Sequence, residues 1–125
     1  MKWQPMLQGD AQLEMALVLQ RTPPEGRAMK ERDVEKYLVD RIKVIGGEVR
    51  KVRWVGRKGA PDRLVMLPGE STWVEVKSPA TVVKFPNDAR ERAQYREHRR
   101  MRKMGLRVEV IGTTEMVDYL FPIEP

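Results

Sequence analysis

The clearest pattern of apolar positions lies between residues 29 and 47. Apolar side chains recur there every three or four residues, and Gly46-Gly47 follows them. This spacing places the apolar side chains on one face of a helix, and glycine commonly follows a helix end. We therefore predict an amphipathic helix that begins at about Met29 and ends before Gly46. The apolar residues of its stripe are Val34, Tyr37, Leu38, Ile42 and Ile45.

Three strands are predicted after this helix. Residues 48–55 mix apolar with basic side chains in the manner of a strand. Two further apolar segments, Asp62–Leu67 and Thr72–Lys77, flank the turn-forming residues 68–71 and predict a β-hairpin. A basic loop, residues 56–61, joins the first strand to the hairpin.

A second long helix is predicted in the next part of the chain. Residues 78–87 contain two prolines and are predicted as an irregular connection. Asn87 or Asp88 can then cap a helix that runs to Met104, because Gly105 favours its end.

The last residues predict one more strand and one more helix. Residues 106–111 alternate as a strand does, and Thr113 or Thr114 can cap a short helix that ends at Leu120. The element order is then α-β-β-β-α-β-α. This order predicts an α/β fold with a mixed central sheet flanked by helices, and it differs from strict βαβ alternation.

The first 28 residues have a different character. Asp10 can cap a short helix through Gln20, and Pro23, Pro24 and Gly26 then interrupt the chain. We predict an N-terminal helical arm and linker over residues 1–28. The remaining residues, 29–125, have the size of one domain.

The overall charge favours an anionic partner. The chain has 24 Lys and Arg residues against 18 Asp and Glu, which gives a net charge of +6 and a pI near 9.8. Nucleic acid is the commonest anionic partner of such proteins. A basic pI that only keeps a small protein in solution is the alternative.

Composition also limits the chemistry. The chain has no cysteine and one histidine, His98, which is expected to be a packed or surface residue. Disulfides, thiol nucleophiles and zinc sites made of cysteines or several histidines are excluded, so a metal would have mainly oxygen ligands. No apolar run reaches the roughly 18 residues of a membrane span, and no signal-peptide pattern is present. We therefore expect a soluble, cytoplasmic protein without membrane contact.

The most informative motif is Pro61-Asp62 and, after twelve intervening residues, Glu75-Val76-Lys77. In an antiparallel hairpin the start of one strand lies beside the end of its partner, and residues two apart share a face. Asp62, Glu75 and Lys77 are thus expected to converge. Two carboxylates suit a hard cation such as Mg²⁺, and a lysine can hold or deprotonate a water aimed at a phosphate. An ordinary cross-strand salt bridge is the alternative.

The same residues resemble a known nuclease motif. The segments 59–65 (GAPDRLV) and 73–79 (WVEVKSP) are similar to the PD-(D/E)xK nuclease superfamily and, within it, to the VRR-NUC (virus-type replication and repair nuclease) domain. Gln94 matches the family's downstream helical glutamine. Glu35, with Glu31 in reserve, matches the acidic residue of its first helix. The resemblance extends over about residues 29 to 121.

This resemblance implies a restriction-endonuclease-like fold with an α-β-β-β-α-β core, and DNA hydrolysis that depends on Mg²⁺, with Mn²⁺ as a substitute. The implied metal ligands are Asp62, Glu75 and the backbone carbonyl of Val76, with Glu35 through a water. The catalytic residues implied in this way are Glu35, Asp62, Glu75, Lys77 and Gln94.

The resemblance also suggests a biological role. Small members of the family resemble Holliday junction resolvases, so the expected function is structure-selective cutting of branched DNA by a homodimer, as in DNA repair. Two alternatives remain open. One is a nuclease that acts on flaps or ends, and the other is a non-catalytic DNA-binding module of the same fold.

Basic residues cluster in two places near the motif. The helix predicted after Asn87 carries seven Lys and Arg residues against three acidic ones, and other basic residues precede the hairpin. Contact with phosphates explains such a local surplus, and a solvated helix face is the alternative. The predicted DNA-binding residues are Arg53, Arg57, Lys58, Arg63, Arg92, Arg96, Arg99 and Arg100.

Overall fold

The computed structural model describes residues 28–123, so the predicted arm over residues 1–28 lies almost entirely outside the described residues. Within the described residues, four helices and four strands follow the predicted order, with one short helix added. The helices are α1 (Glu31–Val44), α2 (Pro79–Val82), α3 (Ala89–Lys103) and α4 (Thr114–Leu120). The strands are β1 (Glu48–Lys51), β2 (Arg63–Leu67), β3 (Glu70–Val76) and β4 (Val108–Ile111).

The strands form one mixed sheet in the order β1-β2-β3-β4. The pairs β1–β2 and β2–β3 are antiparallel, whereas β3 and β4 are parallel. A parallel pair needs a crossover connection, and α2 and α3 provide it between β3 and β4. The predicted α/β architecture with a mixed central sheet is therefore confirmed.

The apolar core lies between α1, α4 and one face of the sheet. Alternate residues of β3, such as Val74 and Val76, point into this layer, and Leu38 of α1 is fully buried there. Each such side chain contributes about 1.5–3 kcal/mol through burial. Because side chains alternate along a strand, Glu75 and the following Lys77 point to the opposite face, which α3 covers. The sheet therefore separates an apolar layer from the layer that holds the predicted site.

The first predicted strand is shorter than expected. Pairing was predicted over residues 48–55, but β1 ends at Lys51, which pairs with Arg63. One further bond joins the Val52 N–H to the Asp62 carbonyl at 2.9 Å. The Trp54 indole then donates to the Pro61 carbonyl at 2.8 Å. The chain thus closes a loop on itself beyond Lys51 instead of extending the sheet.

Two other predictions need correction. The hairpin turn is two residues long, not four, because Glu70 already pairs with Leu67 and Gly69 adopts the positive φ of 78° that a tight turn requires. The stretch 78–87 was predicted as irregular but contains α2, whose first turn is capped by the Ser78 hydroxyl. A helix of four residues is too short to produce a periodic apolar pattern.

Close backbone approach explains why the chain needs glycine after α1. A Cβ on Gly47 would lie 2.5 Å from the Met66 carbonyl oxygen, so a larger residue would push β1 away from β2. Among the described residues, no helix is both long and apolar enough to cross a membrane.

Candidate active site

A cavity of about 530 Å³ lies between the open end of the β2–β3 hairpin, away from its turn, and the first turns of α3. It contains both predicted carboxylates, the predicted glutamine and two basic residues. The wall of this cavity, which we call the acidic cavity, consists of Lys58, Gly59, Ala60, Asp62, Glu75, Arg90, Ala93 and Gln94.

Strand register brings the two carboxylates to the same place. Arg63 of β2 pairs with Val74 of β3. The same antiparallel register, continued by one residue, sets Asp62 opposite Glu75. Asp62 is half exposed and Glu75 is largely buried, with side-chain exposures of 52% and 13%. The hairpin therefore presents one solvent-facing and one recessed carboxylate to a single cavity.

Lys77 is almost fully buried and is not among the residues that line the cavity. Its Nζ donates a hydrogen bond to Gln94 Oε1 at 2.8 Å and lies 3.4 Å from Glu91 Oε2. The ring of Phe85 covers the same ammonium group, with its centroid 5.2 Å from Nζ. Since Gln94 also lines the cavity, it connects the buried lysine with the two carboxylates. The structure thus brings together four of the five predicted catalytic residues: Asp62, Glu75, Lys77 and Gln94.

Glu35 is the fifth predicted catalytic residue, and it is not among the residues that line the acidic cavity. Its Oε1 accepts hydrogen bonds from the Arg63 guanidinium, at 2.6 Å from Nη2 and 3.2 Å from Nε. The Nη1 of Arg63 lies 3.2 Å from Asp62 Oδ1. Arg63 therefore links Glu35 to Asp62. A role for Glu35 as a metal ligand through water stays a prediction.

The loop before Asp62 is fixed to α3. Arg57 donates from Nε and Nη2 to the two carboxylate oxygens of Glu97, at 2.9 and 2.7 Å. Gly59 has a φ of 86°, and a Cβ there would lie 3.1 Å from the Ala93 carbonyl oxygen. A bidentate arginine–carboxylate pair is among the stronger ion pairs in proteins. These contacts hold Lys58 at the cavity and fix the approach to Asp62.

This ion pair predicts a change in acid stability. The hydrogen bond from Arg57 holds the pKa of the Glu97 carboxyl below its ordinary value of 4.5. The folded state therefore binds fewer protons than the unfolded state, so the contribution of Glu97 is complete above about pH 4.5 and is lost as pH falls through its lower folded pKa. We expect Glu97→Gln to be less stable than the wild type at pH 7. Its free energy of unfolding should fall less steeply than that of the wild type between pH 5 and roughly pH 3.

Urea denaturation of the wild type and Glu97→Gln over this pH range would measure the difference. Glu109→Gln, which removes a half-exposed carboxylate on β4, is the control for a general change in charge. If the free energy of unfolding fell equally steeply with pH in the wild type and in Glu97→Gln, the assignment of this pH dependence to Glu97 would be contradicted.

The predicted DNA-binding arginines differ in how they are held. Arg63 has a side chain only 11% exposed and binds Glu35, while Arg57 and Arg100 both pair with Glu97 and remain about half exposed. Arg92 donates to the Asn87 carbonyl, and Arg99 lies over the Tyr95 ring. Contact of these residues with DNA stays a prediction. The other three predicted residues, Arg53, Lys58 and Arg96, are exposed.

Three residues of α3 belong to the site. The sequence interpretation did not place Glu91 or Arg90 there, and it favoured a packed or surface position for His98 over one that faces the site. Glu91 contacts Lys77, Arg90 lines the cavity, and His98 has its Nε2 3.7 Å from Glu75 Oε1. A usable signal was present, because Glu91, Gln94 and His98 recur at spacings of three and four residues. Polar groups on the buried face of a helix are more typical of a functional site than of an apolar core.

A cation such as Mg²⁺ fits this set of groups. Asp62 and Glu75 are oxygen donors on one wall, and Mg²⁺ is commonly held by one or two carboxylates together with waters and phosphate oxygens. In residues 28–123, no cluster of three or more Asp, Glu and His side chains has a metal-holding arrangement. The Val76 carbonyl lies between Glu75 and Lys77 in the chain, and its ligation stays a prediction.

Comparison with known proteins shows similarity to nucleases. Over 95 residues the chain is 36% identical to "Putative nuclease p44" of Acyrthosiphon pisum secondary endosymbiont phage 1, a match that covers 75% of this chain and 95% of the phage protein. It also resembles a solved structure of a VRR_NUC domain, with 46% identity, a TM-score of 0.61, and coverage of 74% of this chain and 95% of that one. No family model matches the chain.

Proposed function

The chain belongs to the VRR-NUC family of nucleases, and from that premise we propose that it is a Mg²⁺-dependent, structure-selective endonuclease that hydrolyses phosphodiester bonds in branched DNA. The observation that carries the proposal is the acidic cavity, in which Asp62 and Glu75 face Gln94, the hydrogen-bond partner of Lys77. Mn²⁺ is expected to substitute for Mg²⁺, since both accept carboxylate and water ligands.

In this proposal the carboxylates of Asp62 and Glu75 and the carbonyl of Val76 hold the metal. Glu35 supports the site through Arg63 or through a water. When bound, the metal neutralises charge that develops on the phosphoryl oxygens and lowers the pKa of a bound water. The recessed position of Glu75 and the half-exposed position of Asp62 leave one side of the site open to the substrate.

Lys77 handles the attacking water or a phosphate oxygen. The ammonium group has three N–H donors, of which one is directed to Gln94 Oε1. Glu91, at 3.4 Å, balances its charge. Because Gln94 fixes the direction of Nζ, it acts as a positioning residue for Lys77. Lys58 and Arg90, which line the same cavity, are placed to bind phosphate oxygens.

The substrate test compares DNA shapes. Purified protein is incubated with a four-way junction, a flap, a free-ended duplex and a nicked duplex, each end-labelled, in Mg²⁺, in Mn²⁺ and in EDTA. We expect cutting that needs the metal and favours the junction, with paired symmetric nicks. Stepwise shortening from ends would favour the flap- or end-acting nuclease instead. DNA binding without cutting and without Mn²⁺ binding in calorimetry would favour the non-catalytic module.

Paired nicks across a junction need two active sites, so we propose a homodimer as the acting form. Sedimentation equilibrium with and without junction DNA would test it, and a monomer under both conditions would exclude this form. The phage origin of one relative supports action in the cytoplasm of a bacterial or phage-infected cell, and the role we propose there is DNA repair or recombination.

A second cavity next to Asp62 suggests where the DNA backbone runs. It shares Ala60 and Asp62 with the acidic cavity and is lined by Lys51 and Arg53. Among the described residues, no ion-pair partner is found for either of these cations, whereas the neighbouring Arg50 pairs with Glu48. Lys51 and Arg53 are two residues apart and exposed. We propose that they bind phosphates next to the one that is cut.

This placement predicts a change in the salt dependence of binding. Lys51→Gln together with Arg53→Gln should weaken junction binding at low salt and reduce the slope of log K against log salt concentration by about 1 for each lost phosphate contact. Fluorescence anisotropy of the junction, with Ca²⁺ in place of Mg²⁺ and from 50 to roughly 300 mM salt, would measure both the affinity at low salt and the slope.

Arg50→Gln removes one positive charge from β1, close to Lys51, and is the control for a general effect of charge. Its slope should equal that of the wild type, because Arg50 is engaged by Glu48. A slope lowered by Arg50→Gln as much per lost charge as by the double variant would show a general charge effect and would contradict the proposed path.

A further inference from the structure

His98 is the chain's only histidine, and it is fully buried. Among the described residues, neither Nδ1 nor Nε2 has a hydrogen-bond partner. A buried polar group without a partner is costly and is rare in folded proteins. The position therefore needs a reason other than packing, since an apolar residue of similar size would avoid this cost.

A carboxylate of the acidic cavity lies close to the imidazole. His98 Nε2 lies 3.7 Å from Glu75 Oε1, just beyond the length of a direct hydrogen bond. The ring is held in place by Phe85, with centroids 6.1 Å apart and an interplanar angle of 22°. The same Phe85 ring covers the ammonium group of Lys77. His98 is therefore a buried neighbour of Glu75 that is not among the residues lining the acidic cavity.

From this arrangement we infer that His98 is a positioning residue for Glu75. Its Nε2–H donates to Oε1 when the carboxylate binds a cation, and this leaves the other carboxylate oxygen directed into the cavity. The inference rests on the proposed metal-dependent function. Partners of this kind fix the orientation of a metal-binding carboxylate, and their removal typically lowers metal affinity by about 10- to 100-fold.

The position of His98 on α3 gives it a distinct role from Gln94. One turn of helix separates the two residues, and both are buried. Gln94 accepts a hydrogen bond from Lys77, whereas His98 faces Glu75. Two residues on one buried face of α3 thus have different partners in the Glu75-Val76-Lys77 motif. Gln94 orients the lysine, and His98 orients the carboxylate.

Two substitutions separate this role from packing. His98→Gln keeps an N–H donor of similar reach, and His98→Met fills the space without one. We expect the Mn²⁺ dissociation constant, measured by calorimetry on the full chain, to rise about 10- to 100-fold in His98→Met and by less than about threefold in His98→Gln. The Mg²⁺ concentration for half-maximal cleavage should rise in the same order, with a smaller change in the rate at saturating metal.

A measurement on the unmodified protein avoids dependence on how the variants fold. Because the chain has one histidine, a long-range ¹H–¹⁵N spectrum contains a single imidazole. We expect the Nε2–H tautomer, and a shift of the Nε2 resonance both on adding Mg²⁺ and in Glu75→Gln.

The outcomes distinguish this inference from the proposed function. Wild-type affinity for Mn²⁺ in His98→Met, or an Nδ1–H tautomer that does not respond to Mg²⁺, would overturn the role of His98 alone. Equal losses of affinity in His98→Met and His98→Gln would also overturn it, because packing would then explain them. No binding of Mn²⁺ by the wild type would overturn the proposed metal site and, with it, this role.

Discussion

Asp62→Asn is expected to reduce DNA cleavage on the order of a thousandfold while leaving the protein folded. The substitution keeps the shape of the side chain and removes a charged oxygen donor from the acidic cavity. The metal contributes several kcal/mol of transition-state stabilisation in such reactions, and each 1.36 kcal/mol corresponds to about a tenfold change in rate. Asp62 is half exposed, so its effect on stability should stay within about 0.5 kcal/mol.

Single-turnover cleavage of a labelled junction with protein in excess would measure this loss, and thermal denaturation would measure stability. Glu70→Gln is the matched control, because Glu70 is an exposed carboxylate at the opposite end of β3 from Glu75. It pairs with Arg107 and lies outside the acidic cavity. Cleavage by Asp62→Asn at the rate of the wild type would exclude the proposed mechanism, even if the variant bound DNA normally.

The hairpin that carries Asp62 could be predicted because local rules determine it. Alternation of apolar residues, a Pro-Gly turn and the antiparallel register are enough to set Asp62 beside Glu75. The turn was predicted two residues too long, yet this error does not alter which ends of the strands meet. A four-residue turn would set Lys77, not Glu75, directly opposite Asp62. Because this shift is two residues, the three side chains still share one face of the hairpin.

The extent of β1 could not be predicted in the same way. The sequence continues its mixed apolar and basic pattern to Val55, but strand length depends on whether a partner strand is available. β2 begins only at Arg63, and the Trp54 indole is satisfied by the Pro61 carbonyl within the loop. Pairing between distant segments, which local patterns do not report, ends this strand.

The role of α3 was only partly visible in the sequence for a related reason. Its ends were predicted within one or two residues, because Asp88 caps it and Gly105 follows it. Its abundant arginines suggested a surface helix that contacts DNA. The structure shows that its buried face carries Glu91, Gln94 and His98 against the site. Hydrophobic periodicity identifies the helix faces that pack on an apolar core, but it does not identify faces that pack on charged groups.

Lys77→Met should reduce both cleavage and stability, and the two effects can be separated. Loss of a positioned charge at a reacting phosphate typically costs about 100- to 1000-fold in rate. The side chains of Lys77 and Glu91 are 5% and 7% exposed, so removing the lysine leaves a buried carboxylate without its cation. We expect a cost of about 3 kcal/mol, at the lower end for a broken buried ion pair. The Asn87 N–H, which still donates to Glu91, is the reason for choosing the lower end.

The double variant Lys77→Met with Glu91→Gln also removes the Glu91 charge, which the single variant leaves buried without its cation. The large cost of breaking a buried ion pair comes from the uncompensated charge that remains, so this variant should recover most of the free energy of unfolding measured by urea denaturation. Its cleavage rate should remain as low as that of Lys77→Met, because the ammonium group is still absent. Recovery of cleavage together with stability would show that Lys77 acts only through the fold. Equal stability of the single and double variants would show that Glu91 does not depend on Lys77 for its charge balance.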